Sequence, residues 1–210
     1  MQANKPMITT AIFDLGGVFI NVDLGPSIDK LMAKIHSHSE QKIIDYLKNS
    51  ELVGLYQKGQ ISSYQFHQKV QNYFGVKFSY SFFKQIWQNI FTPNHLMIRF
   101  IENVNKEINL ILLSNTNELH VDYLMKKYSF FCFFQHHIFS HKVGLLKPDS
   151  SIYHYTVSQA GVQADQCIFI DDSLPNVETA VELGMSGIHF SDFDSFIKKW
   201  NNLIADRKIQ

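Results

Sequence analysis

Four polar groups in the 210-residue chain directly follow or interrupt apolar runs, and their types suit one chemistry. Asp14 follows TTAIF, Ser114 and Asn115 follow INLILL, Lys147 lies in the loop GLLKPD, and Asp171 and Asp172 follow CIFI. Each alone has an ordinary structural explanation. A carboxylate after a strand caps the next helix, Ser-Asn is a turn, Lys-Pro is a loop pair, and paired acids begin a helix. Together they form a set in which two acidic positions hold a hard divalent cation, a hydroxyl and a backbone amide bind phosphate oxygens, and a lysine neutralises charge. In an open parallel sheet ligands bind outside the carboxyl ends of the strands, so the elements must bring these groups to one such edge.

The elements required are legible in the apolar spacing. Residues 9–22 read as a short strand that breaks at Gly16-Gly17, with Asp14 at its tip. From about 24 to 92 the spacing turns helical in IDKLMAKI, EQKIIDYLKN, SSYQFHQKVQNYF and SYSFFKQIWQNIF, punctuated by Gly54, Gly59 and Gly75 with Ser62 and Ser79. After Pro93, helical stretches alternate with the strand-like runs INLILLS, HHIFS and CIFIDD up to Gly184. Strands alternating with helices predict right-handed βαβ units and a parallel α/β sheet, here with an all-helical insert.

Composition narrows the partners. Hydrophobic residues make up 45% and charged residues 18%, which excludes a disordered chain and fits one domain with an insertion. Nineteen basic side chains balance nineteen acidic ones, so no basic field exists to attract nucleic acid or an anionic membrane, and the expected partner is a small molecule. No segment approaches the roughly 20 apolar residues of a membrane span, and a cytoplasmic protein is the expectation. Nothing in the sequence sets an oligomeric state. Cys132 and Cys167 lack a CxxC partner and read as buried thiols.

The order of the four groups resembles the motifs of the haloacid dehalogenase-like hydrolase superfamily. FDLGGV resembles the first motif, LLSNTN the second, GLLKPDSSIY the third and FIDDSLPNVETAVELG the fourth, with the insert where such proteins carry a C1-type cap. The resemblance spans nearly the whole chain. It implies a Rossmann-like core of residues 1–22 and 94–210, a helical cap of residues 23–93, and Mg²⁺-dependent hydrolysis of a small phosphorylated metabolite through a phospho-aspartate. Carried over by position, Asp14 is the nucleophile, Ser114 and the Asn115 amide bind phosphate, and Lys147 joins nucleophile and phosphate. The implied Mg²⁺ ligands are Asp14, the Gly16 carbonyl and Asp171, with Asp172 and Asn176 in support.

Gly16 departs from the pattern, since most such phosphatases carry there a second Asp that serves as general acid and base. General acid–base assistance is worth about 10²–10⁴-fold in rate. The first motif is similar to the DLGNV or DLGGV of sugar-phosphate phosphatases that also lack this acid. Two alternatives follow: a non-catalytic binding protein of the same family, or a haloacid dehalogenase, which needs no metal. The acid pair opposes the latter, because without a cation it repels an anionic substrate.

Several residues have two readings. Asp23 is either a substitute acid or, preferably, the acid ahead of the first insert helix. Gly59 and Gln60 either touch substrate or belong to a helix stop before the Ser62 cap, the simpler account. His136 and His137 are strand neighbours facing opposite sides and cannot share one ion. Phe82, Phe83, Trp87 and Phe91 are expected in the core of the insert.

Overall fold

The computed structural model describes residues 6–35, 38–104 and 106–208. The chain runs through β1 (Thr10–Phe13), β2 (Ile20–Val22), five helices α1 (Gly25–Met32), α2 (Glu40–Asn49), α3 (Glu51–Gln57), α4 (Ser63–Phe74) and α5 (Tyr80–Gln88), then β3 (Phe91–Pro93). It continues through α6 (His95–Val104), β4 (Asn109–Ser114), α7 (Glu118–Lys127), β5 (His136–Phe139), the short α8 (Ser140–Val143) and α9 (Ser150–Ala160). The last elements are β6 (Cys167–Asp171), α10 (Leu174–Glu182), β7 (Ser186–His189) and α11 (Phe193–Lys208).

Five strands form one parallel sheet in the order β5-β4-β1-β6-β7, with β1 at its centre. Successive residues of a strand point to opposite faces, and here both faces are buried. Ala11, Phe13, Leu112 and Ile170 enter one core beneath α6 and α11, while Ile12, Leu113 and Phe169 enter a second beneath α9 and α10. That is why TAIF, NLILLS and CIFID read as continuous apolar runs. The chain winds outward from β1 in both directions, so the sheet's switch point lies at the carboxyl end of β1, between β4 and β6.

The insert leaves and re-enters through a two-stranded antiparallel ribbon in which Ile20 pairs with Pro93 and Val22 with Phe91. Its helices begin at caps written in the sequence. Ser39, Ser62 and Ser79 each accept a backbone N–H from the first turn, and Ser62 forms a full capping box with Gln65. Gly75 closes α4 in the left-handed conformation with φ 66°. The helices enclose their own apolar cluster around Tyr56, Phe66, Phe83 and Trp87.

Some expectations need correction. Gly54 lies within α3 and breaks nothing. Cys132 is exposed, because the 3-10 turn Ser129–Phe133 turns it outward while burying Phe130 and Phe131; Cys167 is buried. Phe91 belongs to β3 rather than to the insert's core, and β7 and α11 extend the fold beyond the last element legible at Gly184.

Phe13 is fully buried, with ring centroids 5.4 Å from Phe19, 6.4 Å from Phe196 and 6.3 Å from Trp200. Phe13→Ala is expected to destabilise the protein by about 3–5 kcal/mol, since a large cavity opens beside the central strand. Urea denaturation checks this as a lowered midpoint with unchanged slope.

Candidate active site

Asp14, Ser114 and Asp171 stand at the carboxyl ends of the three central strands, and Lys147 reaches them from the loop before α9. The Lys147 ammonium is 2.6 Å from Asp14 Oδ1 and 2.6 Å from Asp171 Oδ2, and it donates a third hydrogen bond to the Leu113 carbonyl at 3.0 Å. All three donor positions of the ammonium are therefore used. Its backbone is fixed as tightly. Asn115 Nδ2 donates to the Lys147 carbonyl at 2.8 Å while Asn115 Oδ1 accepts the Lys147 N–H at 2.9 Å, so one side-chain amide clamps the loop as a strand partner would.

The acids are anchored separately. The Asp14 N–H donates to the Ile170 carbonyl at 2.8 Å, which ties the tip of β1 to β6. Asp171 Oδ1 accepts from the Ser173 N–H at 2.8 Å and from Asn176 Nδ2 at 3.0 Å, which leaves Oδ2 for Lys147. Asp172 presses against Gly17, whose φ of 71° and lack of a Cβ are both required there. Oxygens of Asp14, Asp171 and Asp172 all lie within 4.8 Å of one another.

One ammonium does not balance three carboxylates. Burial pushes the Asp14 carboxyl up to about 7, with Lys147 opposing and the Asp171 charge adding to the rise. Burial and then Asp171 hold Asp172 above the usual carboxylate range as well. For Lys147 burial works against the charge, yet Asp14 and Asp171 outweigh it and raise the ammonium's pKa.

A cavity of about 130 Å³ opens over these groups, lined by Asp14, Gly16, Ser114, Asn115, Lys147, Asp171, Asp172 and Asn176 together with Thr116, His120, Val22 and Phe91. The four strand-end groups, Gly16 and Asn176 are therefore in one place. Asp23 is elsewhere in role: its Oδ1 accepts the Gly25 N–H at 2.9 Å at the start of α1, and it does not line the cavity. Gly59 also lies outside, packed on the His141 backbone with φ 67°, and Ser62 next to it caps α4.

His120 is the residue that sequence reasoning missed. It sits on the first turn of α7, stacks on Trp87 at 5.4 Å and meets Phe91 edge-on at 4.8 Å, and burial pushes its pKa down to about 3. Asn117 Oδ1 caps the helix by accepting the His120 N–H at 3.1 Å, so Nδ2 of the same amide is the donor toward His120 Nδ1, also at 3.1 Å. The neutral ring therefore carries its proton on Nε2. The sequence signal was available: an Asn helix cap one turn ahead of a His, separated from the Ser-Asn pair by Thr116 alone.

Comparison with known proteins fits this geometry. A D-ribitol-5-phosphate phosphatase of Bacteroides thetaiotaomicron is 23% identical over 187 residues, covering 85% of this chain and 89% of its own. A crystal structure of a haloacid dehalogenase-family enzyme from the same organism, in complex with magnesium and inorganic phosphate, superposes with a TM-score of 0.79 at 24% identity over 90% of this chain and 98% of that one. A haloacid dehalogenase-like hydrolase of Porphyromonas gingivalis superposes with a TM-score of 0.82 at 25% identity, over 94% and 98% of the two chains. The family model of haloacid dehalogenase-like hydrolases matches residues 8–184, which include all four strand-end groups, and the chain belongs to that family.

Proposed function

We propose that the chain is a Mg²⁺-dependent phosphatase acting on a small phosphorylated metabolite, with Asp14 as nucleophile, a core of residues 1–22 and 94–210, and residues 23–93 as a helical cap. The observation that carries this reading is the Lys147 ammonium held at 2.6 Å by both Asp14 and Asp171 on the floor of the cavity. A sugar or polyol phosphate suits the site. The similar B. thetaiotaomicron protein is a ribitol-phosphate phosphatase, and a cavity of about 130 Å³ is below the ~300–1,000 Å³ usual for drug-sized ligands.

Lys147 binds Asp14 Oδ1, which leaves Oδ2 to attack phosphorus as the bond from phosphorus to the alcohol oxygen breaks. Ser114 and the Asn115 amide line the cavity where phosphoryl oxygens would bind, and Lys147 offsets the charge that repels a dianion from a carboxylate. Water then displaces Asp14 from the phospho-aspartate and releases phosphate. The donor set fits a divalent cation: three acids gather against one ammonium, and burial holds the Asp14 carboxyl well above the usual carboxylate range. Asp14, the Gly16 carbonyl and Asp171, supported by Asp172 and Asn176, would hold Mg²⁺, which favours few protein oxygens and leaves positions for water and phosphate. When bound, the ion supplies positive charge to the phosphoryl oxygens.

Release of phosphate from a panel of sugar and polyol phosphates, with Mg²⁺ and with EDTA, tests the reading. Turnover is expected only with Mg²⁺, and Asp14→Asn should lower it by about 10³-fold or more. Full activity in that variant would overturn the assignment.

The raised Asp14 pKa also has a stability consequence in EDTA. Between about pH 4 and 7 the native chain keeps a proton on Asp14 that the unfolded chain has released, so this group's contribution is fully present below pH 4 and is lost as pH rises through 7. Asp14→Asn should therefore be more stable than wild type at pH 8, with the gap shrinking toward pH 5. Mg²⁺ should stabilise the wild type more than the variant. Thermal melts across that pH range check both.

Gly16 leaves protonation of the departing oxygen to water, so rates should depend steeply on leaving-group pKa, with aryl phosphates faster than simple alkyl ones. A Cβ at Gly16 would meet only Asp14 Oδ2, at 3.8 Å, so an acid fits there sterically. Gly16→Asp is expected to fold and to flatten a Brønsted plot of rate against leaving-group pKa; an already flat wild-type plot would show that another acid serves.

A further inference from the structure

Besides the contact of Gly59 with the His141 backbone, the cap rests on three consecutive residues of the core, Glu118, Leu119 and His120, all on the first turn of α7. Ser63 Oγ of α4 donates to Glu118 Oε2 at 2.8 Å, and the Tyr56 hydroxyl of α3 donates to Ser63 Oγ at 2.9 Å. Gln88 Nε2 donates to the Leu119 carbonyl at 3.4 Å, and the Leu119 side chain, 8% exposed, belongs to the insert's apolar cluster. Trp87 of α5 lies flat on the His120 ring. Polar, apolar and aromatic contacts of the cap thus converge on one helical turn.

That turn continues the phosphate-binding segment. Ser114 and Asn115 lead into Thr116, whose N–H and carbonyl are both pinned to Ser140 Oγ, at 2.9 and 3.0 Å, and then into Asn117, the cap of α7. A segment fastened at 115, 116 and 117 has little slack, so a displacement of Glu118–His120 must be shared with the groups that face phosphate. His120 belongs to both sets, since it lines the cavity and carries Trp87.

We propose that Tyr56, Ser63 and Glu118 are positioning residues that seat the helical cap on the phosphate-binding turn, so that cap docking and phosphate binding strengthen each other. The proposal rests on the phosphatase reading above. None of the three lines the cavity, so a merely local role predicts no effect on phosphate affinity. Linkage predicts otherwise. If bound phosphate favours docking by some factor, docking must tighten phosphate by the same factor. The unliganded seat also sets how much of the chain is competent to bind.

The test uses inorganic phosphate as a competitive inhibitor with Mg²⁺ present. Ser63→Ala is mild for the helix because Ser62 is the residue that caps α4. Ser63→Ala and Glu118→Ala should each raise the phosphate inhibition constant by about 5-fold or more, the double variant should add little because the two share one bond, and Glu118→Gln, which keeps the acceptor, should retain most of the wild-type affinity. Of the chain's two tryptophans, Trp200 is buried in the core and Trp87 reports the seat, so the emission change on adding phosphate should shrink in both single variants. Unchanged inhibition constants, or a fully additive double variant, would overturn the proposal and leave the phosphatase reading intact. A wild-type protein with neither turnover nor phosphate inhibition would overturn both.

Discussion

A single buried ammonium shared by two carboxylates from neighbouring strands is the interaction on which the site depends. Taking Lys147, Asp14 and Asp171 out of water costs several kcal/mol per ion, and their attraction offsets this only with close geometry and every remaining hydrogen bond made. The structure meets both conditions for Lys147 and Asp171. The two contacts are 2.6 Å, the third ammonium proton reaches the Leu113 carbonyl, and the far oxygen of Asp171 is taken by Ser173 and Asn176. Asn115 then has a role no apolar residue can fill, because its amide fixes the loop that aims the lysine. Compensation is nevertheless incomplete: burial, with the Asp171 charge adding to it, holds the Asp14 carboxyl above its usual range although Lys147 opposes the rise.

The parallel sheet supplies the place where such a cluster is possible. With both faces of β1, β4 and β6 covered, polar groups are excluded along the strands and admitted only at their ends. Because β1 is central and the chain departs from it in both directions, the ends of three strands meet at one crevice. The insert departs from the same edge through the β2–β3 ribbon, and its own apolar cluster accepts Leu119 from α7. The helical body is rooted beside the crevice and rests on the turn next to it, and it is the ribbon residues Val22 and Phe91 that line the cavity.

How much of this the sequence carries depends on whether a feature is local. The strand-end acids, the Ser-Asn pair and the lysine were legible because each follows or breaks an apolar run, and Ser62 and Ser79 were legible as caps because capping is decided within four residues. Other features depend on distant partners. Gly54 looked like a break and sits inside α3, where its carbonyl accepts the Lys58 N–H at 2.9 Å in the helical ladder. Phe91 kept helical spacing but joins β3, because Val22 is its partner across 69 positions of chain. Cys132 lies in an aromatic run that a 3-10 turn cannot bury whole. His120 had a local sign in the Asn117 cap ahead of it, but its aromatic partners Trp87 and Phe91 are connected to it by no spacing rule.

The two adjacent glycines of the first loop separate folding demand from chemical choice. Gly17 is required by the fold: its φ is 71°, and a side chain would collide with the Asp172 carboxylate. Gly16 is under no such demand, since its φ is not positive and the nearest atom that a Cβ there would meet is Asp14 Oδ2, at 3.8 Å. The absence of an acid at 16 is therefore a matter of chemistry. A carboxylate there would be the fourth in a pocket whose only ammonium among the described residues is already shared, raising the repulsion felt by an anionic ligand and by Asp14 itself. In the proposed phosphatase, leaving it out would weaken protonation of the departing oxygen and ease the approach of the anion. That exchange would favour substrates whose leaving groups need little help, with Val22, Phe91 and His120 as the less polar part of the cavity lining.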